Sequence, residues 1–144
     1  MDERIEIWNL LHDGFITAIE QNGDTLTMFI SIPYLRRRMK PIGDSFVLTL
    51  SGLSRMDFCD PFGETHSFAE ELGVGVVTGP TIISTDSGSM PITIEFDYGH
   101  LVLDFQSISF ALDTGVSVGF KEIEEVAAAY WQELGNRGKK NGDD

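Results

Sequence analysis

Basic residues are scarce in this 144-residue sequence. Ten Lys and Arg stand against 23 Asp and Glu, a formal charge of −13. Between Met56 and Asn136 the single base is Lys121, set against fourteen carboxylates. A field of that sign repels phosphate backbones and anionic lipid and attracts cations, which argues against nucleic acid and membrane surfaces as direct partners. Cysteine is nearly absent too. Cys59 alone cannot form an internal bridge, which excludes a disulfide scaffold of the secreted kind. No apolar run approaches the ~20 residues that a membrane-spanning helix needs. The opening, Met1-Asp2-Glu3-Arg4-Ile5-Glu6, is acidic where a secretory leader is basic and then apolar. Together these absences predict a cytoplasmic chain.

What remains is enough for one domain. A chain of this length buries roughly 68–70% of its unfolded surface without metal or disulfide staples. Residues 1–135 read as a single globular domain. The segment 136–144, rich in Gly and in charges of both signs, reads as a disordered tail.

Periodicity organises that domain. Ile5, Trp8 and Leu11 recur at helical spacing over residues 3–12, with Asp2 placed to cap. Asp13-Gly14 then stops the helix, with Gly14 expected in the left-handed conformation. Asn22-Gly23 is a hairpin signal, both residues tolerating positive φ. Leu26, Met28, Ile30 and Ile32 alternate with polar residues as a half-buried strand does, and Pro33 ends it. Tyr34 to Met39 reads as a helical turn, and Phe46 to Leu50 as a strand. Residues 55–71 read as irregular and acidic, apart from a turn at Asp60-Pro61-Phe62-Gly63 and a helical turn over Ser67–Leu72. Val74, Val76 and Val77 suggest a strand, and 85–89 a polar loop. Ile92, Ile94 and Phe96, then Leu101, Leu103 and Phe105, alternate again. Apolar positions shift from odd to even before Ile108, Phe110 and Leu112, so a bulge or bend is expected near Gln106-Ser107. Ile123, Val126, Ala127, Tyr130, Trp131 and Leu134 stripe one long helix that Gly135 should end. Consecutive strands with turns between them predict an α+β fold, mainly antiparallel: a sheet or sandwich with a short N-terminal helix and a C-terminal helix packed on a sheet face.

No catalytic motif accompanies this pattern. His12-Asp13 is similar to the metal-binding pair of the HD phosphohydrolases, but that fold is helical and needs further ligands on other helices. Backbone hydrogen bonding at the helix-to-strand junction accounts for the pair. Asp57, Cys59, Asp60, Glu64 and His66 cluster in sequence without standard metal spacing, and a solvated acidic loop is the better reading. Cys59 lies between Asp57 and Asp60, whose charge opposes thiolate formation. Ser51-Gly52 and Ser87-Gly88-Ser89 lack the nucleophile elbow, and the glycines at 73, 75 and 79 miss dinucleotide spacing. Arg36, Arg37, Arg38 and Lys40 form one basic cluster, expected to pair with carboxylates of this domain or of a partner. No cofactor or metal is predicted.

Trp8-Asn9-Leu10-Leu11-His12-Asp13-Gly14-Phe15-Ile16, a hairpin, and then Ile32-Pro33-Tyr34-Leu35-Arg36 carry a family likeness. This opening resembles small bacterial families of unknown function with an apolar-His-Asp-small-x-aliphatic signature before a β-rich body. Some of them are grouped with immunity proteins of polymorphic toxin systems. The likeness spans roughly the first 36 residues, with His12, Asp13, Gly14, Tyr34 and Arg36 as its motif positions, and it transfers no functional residue. It implies a non-catalytic domain that binds a basic protein. Asp57, Asp60, Glu64, Glu70 and Glu71 are the candidate contacts for that partner. The alternative expectation is a metal- or small-ligand-dependent enzyme in which His12, Asp13 and His66 converge with loop carboxylates.

Overall fold

The computed structural model describes residues 2–66, 81–85 and 88–142, the side chains of His66 and of 136–142 excepted. Helix α1 spans Glu3–Leu10, and Asp2 caps it by accepting from the backbone N–H of Arg4 at 3.0 Å. Its Ile5, Ile7 and Trp8 are buried, and the Trp8 indole donates to the Arg4 carbonyl at 2.8 Å. The left-handed residue after the helix is Asp13 (φ 74), not Gly14 as expected. Gly14 is required for another reason. A Cβ there would meet the Leu11 carbonyl oxygen at 2.9 Å and Ile30 Cγ2 at 3.0 Å.

Strands β1 (Phe15–Asn22) and β2 (Thr25–Ser31) form the expected hairpin. Of the two loop residues, Gly23 alone takes positive φ (62), and Asn22 stays in the strand. That is the glycine-first turn, not one with both residues at positive φ. Pro33 opens helix α2 (Pro33–Arg36), where its missing N–H costs nothing. β3 (Ser45–Ser51) buries Phe46, Leu48 and Leu50.

The stretch read as irregular holds two strands, β4 (Arg55–Cys59) and β5 (Thr65–His66), joined by the Asp60–Gly63 turn. Another strand, β6 (Ile82–Thr85), takes Thr85 out of the expected loop. The helical turn assigned to 67–72 and the strand assigned to 74–77 lie outside the described residues. β7 (Ile92–Phe96), β8 (His100–Asp104) and β9 (Ser107–Leu112) follow the alternation, and β10 (Ser117–Val118) adds a short strand. Helix α3 spans Phe120–Gly142. It passes through Gly135, which was expected to end it, and the backbone of 136–142 continues the helix instead of leaving it.

Among the described residues the strands form two antiparallel five-stranded sheets, ordered β1-β2-β3-β9-β10 and β5-β4-β8-β7-β6. The β3–β9 pair of one sheet runs on into the β4–β8 pair of the other around a shared corner. There Ser54 N–H donates to the Asp104 carbonyl at 2.8 Å, and Gln106 N–H to the Ser51 carbonyl at 2.9 Å. This corner is the bend that the apolar shift predicted near Gln106. On the opposite side Asp13 N–H donates to the Ile82 carbonyl and Ile82 N–H to the Gly14 carbonyl, both at 2.8 Å, bringing the start of β1 against β6. Both sheets and α1 feed one core, which α3 joins through Ile123 and Ala127. The inner residues are apolar because burial of such side chains drives this packing. Among the described residues no helix is long and apolar enough to cross a membrane.

Candidate functional site

The motif at the end of α1 is built into a junction. Tyr34, on α2, donates its hydroxyl to the His12 carbonyl at 3.0 Å, and His12 Nδ1 lies 2.8 Å from the Asn9 carbonyl. Tyr34, His12, Asp13 and Gly14 are therefore brought together. Across this junction lies α3. The His12 ring stacks on Trp131, centroids 5.0 Å apart and planes 15° from parallel. Tyr34 packs on Tyr130 at 4.6 Å, and Tyr130 meets Trp131 edge-on. Burial, with the Asp13 charge nearby, pushes the Tyr34 phenol up to about 12. Asp13 projects a carboxylate that is 64% exposed, its Oδ2 3.7 Å from His12 Nε2. Trp131 and Leu134 are exposed as well. The apolar stripe of α3 thus outruns the core it was expected to cover.

Arg36 belongs to a different structure. It is fully buried, with Nε donating to the Ser45 carbonyl and to Asp113 Oδ1, both at 3.0 Å, and Nη1 donating to the carbonyls of Met39 and Pro41. Nη2 approaches Asp113 Oδ1 to 2.7 Å, a close ion-pair contact without hydrogen-bond geometry. Arg38 pairs with Glu133 and lies 5.2 Å over the Tyr130 ring. The basic cluster therefore pairs inside the domain at two of its members.

The candidate acidic contacts separate. Asp57, on β4, faces Arg55 at 2.7 Å. Asp60 is buried, its Oδ1 accepting from Phe62 N–H at 2.9 Å and Glu64 N–H at 3.0 Å, so it holds the turn together. Glu64 is exposed on that turn. Glu70 and Glu71 lie outside the described residues.

The backbone holds two positions of the proposed enzymatic set, His66 and Asp13, apart. The His66 backbone sits on β5, at one edge of its sheet, while Asp13 bonds β6 at the other. Four strand spacings, roughly 19 Å, divide those edges. The register instead sets Cys59 opposite His100 and His100 opposite Glu95 on neighbouring strands. Among the described residues no group of three or more His, Cys, Asp or Glu could hold a metal ion. An open groove of about 530 Å³ runs between α3 and the 116–118 and 38–40 segments. Arg38 and Lys40 face Glu122 and Glu125 there, with no His or Cys in the lining.

The aromatic junction escaped sequence reasoning because His12 and Trp131 lie far apart along the chain. Only the uncommon length of the α3 stripe hinted that part of it would find no sheet beneath it. No protein-family model, curated protein or solved structure matches this chain.

Proposed function

We propose that this chain is a non-catalytic binding domain for a cationic protein, of the immunity type that its opening resembles. One observation carries the reading: much of the scarce positive charge is spent internally. Arg4, Arg36, Arg38 and Arg55 each sit in an ion pair with a carboxylate of the same chain. The excess of carboxylates over bases is left on the outside, where Glu20, Asp24, Asp97, Glu122 and Glu125 are exposed. Such an exterior steers basic partners into encounter and turns anionic ones away.

The supporting contrast is the state of the ionisable groups. Those the sequence singled out for chemistry are dispersed over opposite sheet edges, and the buried carboxylate of Asp60 serves a turn. A binding surface tolerates that dispersal, and an active site does not.

The test is stopped-flow association with the basic proteins encoded beside this chain, at 20 and 200 mM salt. Complex formation is expected, with an association rate that falls about tenfold or more between the two conditions as screening removes the steering. A complex whose rate ignores salt, or the absence of any complex, overturns the reading.

A further inference from the structure

The basic-partner reading leaves open where affinity, as distinct from steering, would come from. Resting on that reading, we propose that Trp131 and Asp13 form the seat for an arginine or lysine side chain of the partner.

Along α3 the apolar stripe changes character. Ile123 and Ala127 are buried in the core, but Trp131 and Leu134, further along the same stripe, remain 37% and 42% exposed. Large exposed aromatics of this kind are what binding hot spots are built from. The indole is also held rigidly. His12 stacks on it, Tyr130 abuts it, and Tyr34 lies edge-on at 6.4 Å. A pre-ordered ring loses little entropy when a partner covers it.

Asp13 supplies the charge. Its φ of 74 is a conformation that glycine adopts without strain and other residues rarely adopt, yet the position carries a carboxylate. The backbone is pinned there by Asp13 N–H donating to the Ile82 carbonyl at 2.8 Å. His12 links the two parts of the seat, with its ring on Trp131 and its Nε2 3.7 Å from the Asp13 carboxylate.

The fold already contains the contact in miniature. Arg38 lies over Tyr130 and pairs with Glu133, a cation on an aromatic face held by a carboxylate. Next to it, Trp131 and Asp13 repeat the two acceptors, with the His12 ring against both. Tryptophan is the best aromatic face for a cation. The occupant is a basic partner and not a second copy, because two chains of charge −13 repel on approach.

The test titrates the full chain with an acetylated, amidated arginine hexapeptide at 50 mM salt, by calorimetry and tryptophan fluorescence. Trp8, buried in the core, reports folding in every variant. Trp131→Ala and Asp13→Asn are each expected to weaken the peptide about five- to tenfold. Glu20→Gln, on the distant hairpin, is expected to weaken it less than about twofold, as one exposed charge among many. Equal loss in Asp13→Asn and Glu20→Gln with Trp131→Ala unaffected overturns the seat and leaves the acidic-exterior reading standing. Light scattering that shows a dimer lost in Trp131→Ala also overturns it, in favour of self-association. No binding to the wild-type chain overturns both.

Discussion

Arg36 and Asp113 meet across 77 residues of sequence, with Nε and Nη2 of the guanidinium 3.0 and 2.7 Å from a single carboxylate oxygen. The pair ties α2 to the end of β9. Gly43 roofs it: a Cβ at that position would overlap the Asp113 carboxylate and fall 2.7 Å from Arg36 Nη2. The glycine is there for space, since its φ is ordinary.

Removing the carboxylate leaves a buried guanidinium with carbonyls alone for company. Asp113→Ala is therefore expected to cost about 3 kcal/mol in urea unfolding, the usual penalty for stranding a buried charge. Gly43→Ala is expected to cost about 1–3 kcal/mol by overpacking. The two should not add, because Asp113→Ala vacates the space that the new methyl needs. Additive losses would show that Gly43 matters for another reason.

Acid should expose the same pair. Desolvation pulls the Asp113 carboxyl up, but the Asp44 N–H and the Arg36 guanidinium outweigh it and hold the group below the ordinary aspartate range. A folded value below the unfolded one, near ~3.9, means stability that is present above about pH 4 and lost as pH falls through the folded value. The stability gap between wild type and Asp113→Asn should be constant near neutrality and close below pH 4. A gap that persists unchanged to pH 2 would mean that the carboxylate's charge is not what the fold uses.

The strands with one wet face were legible because strict alternation survives translation into three dimensions, as in β2, β7 and β8. The change of phase between Phe105 and Ile108 located the corner where the chain leaves one sheet for the other. β4 hid behind its outward Arg55, Asp57 and Cys59, which made a half-buried strand look like acidic loop. β6 hid behind its register shift between Ile82 and Ser84, which leaves Ile83 exposed. Gly135 misled because a glycine inside a helix costs only about 1 kcal/mol, which a long helix absorbs. Arg36 was expected to pair with a carboxylate, but that the carboxylate is Asp113 could not be read because it lies 77 residues away. The junction of His12 with Trp131 was invisible for the same reason, and no local rule reaches across such a distance.

Asp60 separates structural from interfacial acidity. With Oδ1 accepting from both Phe62 and Glu64 N–H, its truncation removes two backbone partners at once. Asp60→Ala is expected to cost about 1–3 kcal/mol in urea unfolding, while Asp57→Ala, half-buried and paired with Arg55, should cost less than about 1 kcal/mol. The salt dependence of association with a basic partner should be nearly the same in both. If Asp57→Ala destabilises as much as Asp60→Ala, the division fails.

Tyr34 gives the alkaline counterpart. Burial first, then the Asp13 charge and Tyr130, push its phenol to about 12 in the folded chain. The unfolded phenol titrates near ~10. A raised folded value means that stability is intact below the unfolded value and is lost as pH rises from about 10 through 12, because the unfolded chain releases the proton first. The phenolate absorbance of the folded protein should show one tyrosine ionising late. Tyr34→Phe should remove that late step and lower stability at neutral pH by about 1 kcal/mol, through loss of the hydrogen bond to the His12 carbonyl. Asp13→Asn should bring the late step to lower pH without abolishing it, since burial remains when the charge is gone. If the late step vanishes in Asp13→Asn and persists in Tyr34→Phe, the ionisation belongs to another tyrosine, and the packing of Tyr34 beneath the junction is wrong.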